Sequence, residues 1–260
     1  MKKQIMLSLL LVLGLLRLNA QTNYSVYGVG FYNQENLFDT CHDEGKNDYD
    51  FLPTGSYKWD KLKYTNKLRN MARALADMGT DVLPKVGCAM IGLSEVENAR
   101  VLDALVAQPP LAARGYRYIH VEGPDRRGID CALLYNPQLF TPQTVKLVPY
   151  VPQLPKDSAF HTRGYLTVTG TLGGEHVAVI VCHWPSRYSG SYYREVAAAQ
   201  VKAVKDSLLR QNPAIKVMVM GDMNDDPTSR SMAKVLSAKA EVDEVGKDDM
   251  YNPWYNILAK

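Results

Sequence analysis

Cysteine and histidine are both scarce in this chain, with four and five residues in 260. Cys41, Cys88, Cys131 and Cys182 form no CxxC pair and no Cys/His spacing, which speaks against a structural zinc site. So few cysteines also exclude a disulfide scaffold. Internal repeats, low-complexity tracts and long linkers are missing, and composition is globular, with 46% hydrophobic and 22% charged residues. Disorder, collagen and coiled coil are therefore poor readings. A strong charge of one sign is lacking as well. The formal net charge is +3, but Lys2, Lys3 and Arg17 sit in the first twenty residues without an acid. The other 27 basic residues balance the 27 acidic ones. A neutral body lacks the global basic footprint of a non-specific nucleic-acid binder, although a local basic patch stays open.

Long apolar runs are confined to the N-terminus. Lys2 and Lys3 precede an apolar stretch from Met6 to Leu16, and Leu18-Asn19-Ala20 ends on a small residue. This order is that of a secretory signal peptide cleaved near Ala20, and the run is short for a membrane span, the rival reading. Residues 1–20 are therefore expected to be removed on export to the periplasm or medium. Residues 21–260 are expected to form one domain, a monomer without stable membrane insertion and with no protein partner inferred. Export permits disulfides, yet Cys88, Cys131 and Cys182 lie in strand-like apolar runs, where buried thiols are favoured over bridges.

What is abundant is short β-rich runs bounded by turn formers: Tyr24–Tyr32, Cys88–Val96, Tyr116–Val121, Ile129–Tyr135, Val145–Val151, Tyr165–Thr171, His176–His183 and Ile215–Gly221. Leu172-Gly173-Gly174-Glu175 reads as a hairpin turn. Helical spacing marks Trp59–Met78, Asn98–Val106 and Tyr192–Leu209. Helices among many strands predict an α/β layered domain.

Four polar clusters close strand runs, where such a domain places its site. In Asn33-Gln34-Glu35, an amide and a carboxylate two apart on an extended segment share a face and offer oxygen donors to Mg²⁺ or Mn²⁺; an Asn-rich turn is the plain alternative. Glu95 ends the second run, where a buried carboxylate needs a metal or basic partner, while Asn98 suits a helix N-cap. His183 leads into Trp184-Pro185-Ser186-Arg187, an anion-facing loop, or a structural histidine. Arg194 and Gln200 on the next helix read as solvent-facing. Gly221-Asp222-Met223-Asn224 sets another acid and amide two apart, a calcium loop being excluded by its spacing.

Together, these clusters resemble the endonuclease/exonuclease/phosphatase family over about residues 24–260. Phe31–Asp39 is similar to that family's opening Asn-bearing strand, Ser94-Glu95-Val96 to its metal-binding Glu, and Gly221-Asp222-Met223-Asn224 to its Gly-Asp-Phe-Asn signature. His183 falls where the family has a strand-ending His or Asn. Arg127-Gly128-Ile129-Asp130 followed by Ala132–Tyr135 resembles a motif of the secreted bacterial branch. The resemblance implies a four-layer α/β (α+β) sandwich of two packed mixed β-sheets flanked by helices. It also implies an exported phosphoester hydrolase using Mg²⁺ or Mn²⁺, with phosphodiesters, DNA among them, as substrate. Glu95, supported by Asn33 and Glu35, would hold the metal. His183, Asp222 and Asn224 would act on phosphate and water, and Arg127, Asp130 and Arg187 would lie on the substrate side.

One feature departs from the resemblance. The family carries a further Asp-His pair near its C-terminus, whereas none of the five histidines here lies beyond Asp222. The domain is expected to be C-terminally incomplete and to miss its last strands. The alternative function is then an inactive relative serving as a binding module. An unrelated sugar-binding protein, with Trp59, Trp184 and Trp254 as platforms, is a third reading.

Overall fold

The computed structural model describes residues 25–258; the proposed signal peptide lies outside them. The chain forms β1 (Gly28–Leu37), α1 (Lys61–Asp77), β2 (Cys88–Val96), α2 (Ala99–Val106) and α3 (Pro109–Ala112). It continues through β3 (Arg117–His120), β4 (Asp130–Tyr135), β5 (Phe140–Val148), β6 (Tyr165–Leu172), β7 (Glu175–His183), α4 (Ser191–Gln211) and β8 (Lys216–Asp222). A π-helical turn at Ser231–Val235, the two-residue strands β9 (Ala238–Lys239) and β10 (Met250–Tyr251), and α5 (Tyr255–Leu258) follow.

Two four-stranded sheets result, ordered β1-β2-β4-β3 and β5-β6-β7-β8. Each is mixed. β1 and β2 run parallel across α1, and β7 and β8 run parallel across α4. Side-chain alternation along the strands builds the layers. Ile91, Leu93, Ala132 and Leu134 face outward and pack with Leu68, Ala72 and Leu75 of α1. Met90, Cys131 and Leu133 face inward against Val168, Val177, Val179 and Val181 of the second sheet. On that sheet's outer face, Ile180 and Cys182 meet Val196, Ala197 and Val201 of α4. Helix, sheet, sheet and helix thus stack in four layers around three apolar seams, the architecture that the family resemblance implies.

Boundaries shift where local chemistry overrides pattern. Asp60 caps α1 by accepting from the Lys63 N–H at 2.9 Å, so the helix starts two residues after Trp59. Asn98 caps α2 as expected, accepting from the Val101 N–H. β5 starts earlier than the pattern suggests because Pro142 is tolerated on an edge strand. Cys88, Cys131 and Cys182 are buried free thiols, and Cys41 is exposed and free. Trp184 is fully buried, and Trp59 donates to the Phe38 carbonyl, so neither is a sugar platform. Arg194 and Gln200 are not solvent-facing. Arg194 is buried with Nε 3.0 Å from Asp225 Oδ2, and Gln200 bonds the Val151 backbone and the Tyr165 hydroxyl.

Candidate metal centre and adjoining cleft

In each parallel pair both strands finish at the same end, and there the four polar clusters meet. β1 and β2 both lose register near this end, between Asn33 and Leu37 on one and between Ser94 and Val96 on the other. Glu35, Asn36 and Glu95 have φ of 52°, 62° and 59°. Such bulges redirect side chains beside functional sites. The kink delivers the Glu95 carboxylate to Asn33, whose Nδ2 donates to Glu95 Oε1 at 3.2 Å and to Asp222 Oδ2 at 3.0 Å. It also breaks the alternation assumed for Asn33 and Glu35. Glu35 is exposed, and its contact with Asn33 is through its own backbone N–H, which donates to Asn33 Oδ1 at 2.7 Å. Its carboxylate therefore does not join the centre.

From the second sheet come His183 and Asp222, paired residues of β7 and β8. Gly221 permits this crossing, because a Cβ there would collide with the Cys182 carbonyl. Asp222 Oδ1 accepts the Asn224 N–H at 2.9 Å, and Asn224 Nδ2 donates to the Trp184 carbonyl at 3.0 Å. His183 is buried, with Nε2 3.7 Å from Glu95 Oε1, too far for a hydrogen bond. Burial, helped by the Arg163 and Arg127 guanidiniums, drops its imidazole to about 2, so the ring is neutral.

Ligand atoms of Glu95, His183 and Asp222 lie within 4.8 Å of one another. Among the described residues, no lysine or arginine forms an ion pair with either carboxylate. Two carboxylates and a neutral imidazole, steadied by one shared amide, fit a divalent cation. His183 and Asp222, expected to act on phosphate and water, thus stand in ligand position with Glu95. Asn33 positions the carboxylates through its NH₂.

Beside this centre opens a cleft of about 430 Å³. Glu95, His183, Asn224 and Arg127 line it, as do Thr162 and Arg163, which the sequence reading passed over. Arg163 precedes β6, and only the packing of its loop against Trp184 brings it here, with NH2 3.4 Å from the Trp184 carbonyl. Arg127 is exposed at the rim. Asp130, expected on the substrate side, is buried, and both of its oxygens are taken, one by His120 at 2.9 Å and one by the Gly123 N–H at 3.0 Å. It holds a loop and faces no substrate. Arg187 reaches the Asn224 carbonyl at 3.2 Å and Asp226 at 2.8 Å, and it lines a second, largely apolar cavity that also reaches Asn33, Asp222 and Asn224.

The profile of the Endonuclease/Exonuclease/phosphatase family matches residues 28–260. The chain belongs to the endonuclease/exonuclease/phosphatase family. Among solved structures, ANGEL2, a 2′,3′-cyclic phosphatase, in complex with adenosine-2′,3′-vanadate, superposes with a TM-score of 0.53 at 16% identity, covering 80% of this chain and 56% of that one. Human Nocturnin's catalytic domain with bound sulfate follows at 0.47 and 18%, covering 65% and 62%. D. rerio TDP2 complexed with single-strand DNA product stands at 0.48 and 18%, covering 68% and 60%. At these identities the likeness is one of fold. The chain spans 57% and 44% of two C. elegans TDP2 chains that it also matches. No curated protein matches at the sequence level.

Proposed function

We propose that this family member is an exported phosphoester hydrolase that acts on phosphodiesters, DNA among them, with Mg²⁺ or Mn²⁺ at Glu95, Asp222 and His183. The observation that carries the reading is the convergence of Asn33, Glu95, His183 and Asp222 from four strand ends in two sheets. A bound cation would polarise a phosphoryl oxygen. Around it, Asn33 keeps the two like charges of Glu95 and Asp222 in place. Asn224 is fixed on the Trp184 carbonyl. Arg127 and Arg163 supply the positive wall that an anionic substrate needs beside two carboxylates.

The second reading, a binding module without turnover, is favoured by one fact: the centre holds a single imidazole, buried and neutral. One experiment separates them. Purified protein is titrated with Mn²⁺ by calorimetry and assayed on bis-p-nitrophenyl phosphate with Mg²⁺ or Mn²⁺. Slow hydrolysis that EDTA and Glu95→Ala both abolish is expected. Tight Mn²⁺ binding without any hydrolysis supports the binding module, and unchanged Mn²⁺ binding by Glu95→Ala removes the proposed centre.

A further inference from the structure

Three polar atoms that line or adjoin the same cleft are buried without partners: Thr162 Oγ1, Arg163 Nε and His183 Nδ1. Thr162 and His183 are 5% and 4% exposed, and the Arg163 side chain is 10% exposed. Folded proteins leave few such groups unmet, and each calls for an explanation. Charge points to what is missing. Arg163 NH1 lies 2.9 Å from Asp125 Oδ2, and Arg127 Nε lies 4.0 Å from Asp125 Oδ1. Two guanidiniums thus share Asp125, leaving one positive charge in surplus once a cation offsets Glu95, which lines the same cleft. Water would satisfy a hydroxyl or an imidazole, whereas the surplus charge selects an anion.

We infer that this cleft is a preformed oxyanion subsite in which Thr162, Arg163 and Arg127 hold a second phosphate of the substrate, next to the phosphoester at the metal centre. The Arg163 guanidinium is already fixed by Asp125 and Trp184, so its free N–H is pre-aimed and little ordering is lost on binding. Arg127 is half-exposed and held only at the limits of contact, by Asp125 Oδ1 at 4.0 Å and Asn36 Oδ1 at 3.4 Å, so it is free to close over the ligand. A volume of about 430 Å³ suits a small polar group. The preferred substrate is then a phosphodiester with a phosphate on the neighbouring residue, such as a strand or a phosphorylated dinucleotide. The substrate assignment rests on the proposed hydrolase reading; the subsite does not.

Binding is measured first, on the whole protein in EDTA, by calorimetric titration with inorganic phosphate. Without a cation, Glu95 and Asp222 repel the ion, so any heat reports the arginine side. Thr162→Val and Arg163→Lys should each weaken binding about tenfold, the worth of one charge-assisted hydrogen bond. Glu95→Gln should tighten it. Thr162→Val keeps the side-chain shape and removes an unpartnered hydroxyl, so its melting temperature should hold or rise; it decides the matter if Arg163→Lys fails to fold. No binding by wild type, equal binding by Thr162→Val, or loss of binding in Glu95→Gln overturns the subsite.

Kinetics then tests the substrate class. With Mg²⁺ or Mn²⁺, 5′-phosphorylated thymidylyl-thymidine should be cut with a KM about tenfold below that of the unphosphorylated dinucleotide, and Thr162→Val should erase the difference. Equal KM values in wild type overturn that assignment. If neither dinucleotide is cut, the hydrolase reading fails, and the phosphate titration still decides the subsite by itself.

Discussion

Asn33 does work at the centre that a metal ligand alone would not. Its single NH₂ group bridges Glu95 and Asp222, the only carboxylates in the triad. Groups that orient ligands in this way are typically worth 10–100-fold in metal affinity. Asn33→Ala should therefore weaken Mn²⁺ binding by about 10–100-fold in a calorimetric titration while the protein stays folded. Glu97, two residues from Glu95, has a different task. It is buried, and its Oε2 accepts the Asp39 N–H at 2.7 Å. Burial pushes its carboxyl up to about 8, with the charges of Asp39, Asp43 and Asp48 adding to the rise against that hydrogen bond. Below pH 4.5 the folded and unfolded chains both carry this proton. Between 4.5 and about 8 the unfolded chain loses it and the folded chain keeps it, so stability falls as pH rises through that window. Above about 8 both are ionised, and the Glu97 contribution is flat. Urea denaturation across pH 4.5–8 should show this decline in wild type and a shallower one in Glu97→Gln.

At the scale of the element, β7, α4 and β8 depend on two close fits. Gly221 sits where any side chain would strike the Cys182 carbonyl of the paired strand. Gly221→Ala should then cost about 2 kcal/mol or more and displace Asp222, a backbone strain effect of the kind that dominates large single-site losses. A lowered melting temperature together with lost Mn²⁺ binding is the expected pair of readouts. Arg194 on α4 ties that helix to the loop after β8. Its side chain and that of Asp225 are 7% and 9% exposed, and Ser231 Oγ donates to the same Asp225 oxygen at 2.6 Å. Burial raises the Asp225 pKa, but the Ser231 hydrogen bond and the adjacent Arg194 guanidinium outweigh it and hold the carboxylate low. Removing one partner of a buried pair leaves the other charged and alone, at about 3–5 kcal/mol. Asp225→Ala should lose that much stability by urea denaturation, whereas Arg194→Met with Asp225→Leu should recover most of it.

For the whole molecule, four layers are closed on the α1 and α4 faces and open at their strand edges. Among the described residues, β1 and β3 edge one sheet and β5 and β8 the other, with no strand beyond them. A cavity of about 800 Å³ adjoins β8, lined by Met220, Met232, Leu236, Trp254 and Ile257. Trp254 and Ile257 are 62% and 58% exposed. Open strand edges beside apolar surface invite association. Static light scattering should show mass rising with protein concentration, and Trp254→Glu with Ile257→Lys should suppress the rise. Constant monomer mass in wild type would contradict this.

Much of the molecule was legible in its sequence because periodicity is a local property. The short, continuously apolar runs of β2, β4 and β7, bounded by turn formers, and the three-to-four spacing of α1 and α4 announce layers without reference to any partner. The Asn98 cap and the buried Cys88, Cys131 and Cys182 follow from the same local rules. Polar residues at the ends of apolar strands also announced Asn33, Glu95, His183 and Asp222, because a charge at the end of a buried run needs a reason. What tertiary structure decided was direction and company. The bulges at Glu35 and Glu95 turned one carboxylate out and the other in, which a two-residue rule cannot see, since the rule assumes an unbroken strand. Asp130 left its expected place and Arg163 gained an unexpected one for a similar reason. His120 on the neighbouring strand claimed the Asp130 carboxylate, and the fold laid the Arg163 loop against Trp184. Neither contact is local: His120 reaches Asp130 across β3 and β4, and Arg163 meets Trp184 across 21 positions of chain. Residue type and spacing state which chemistry is possible; only packing assigns each polar group its partner or leaves it free for a ligand.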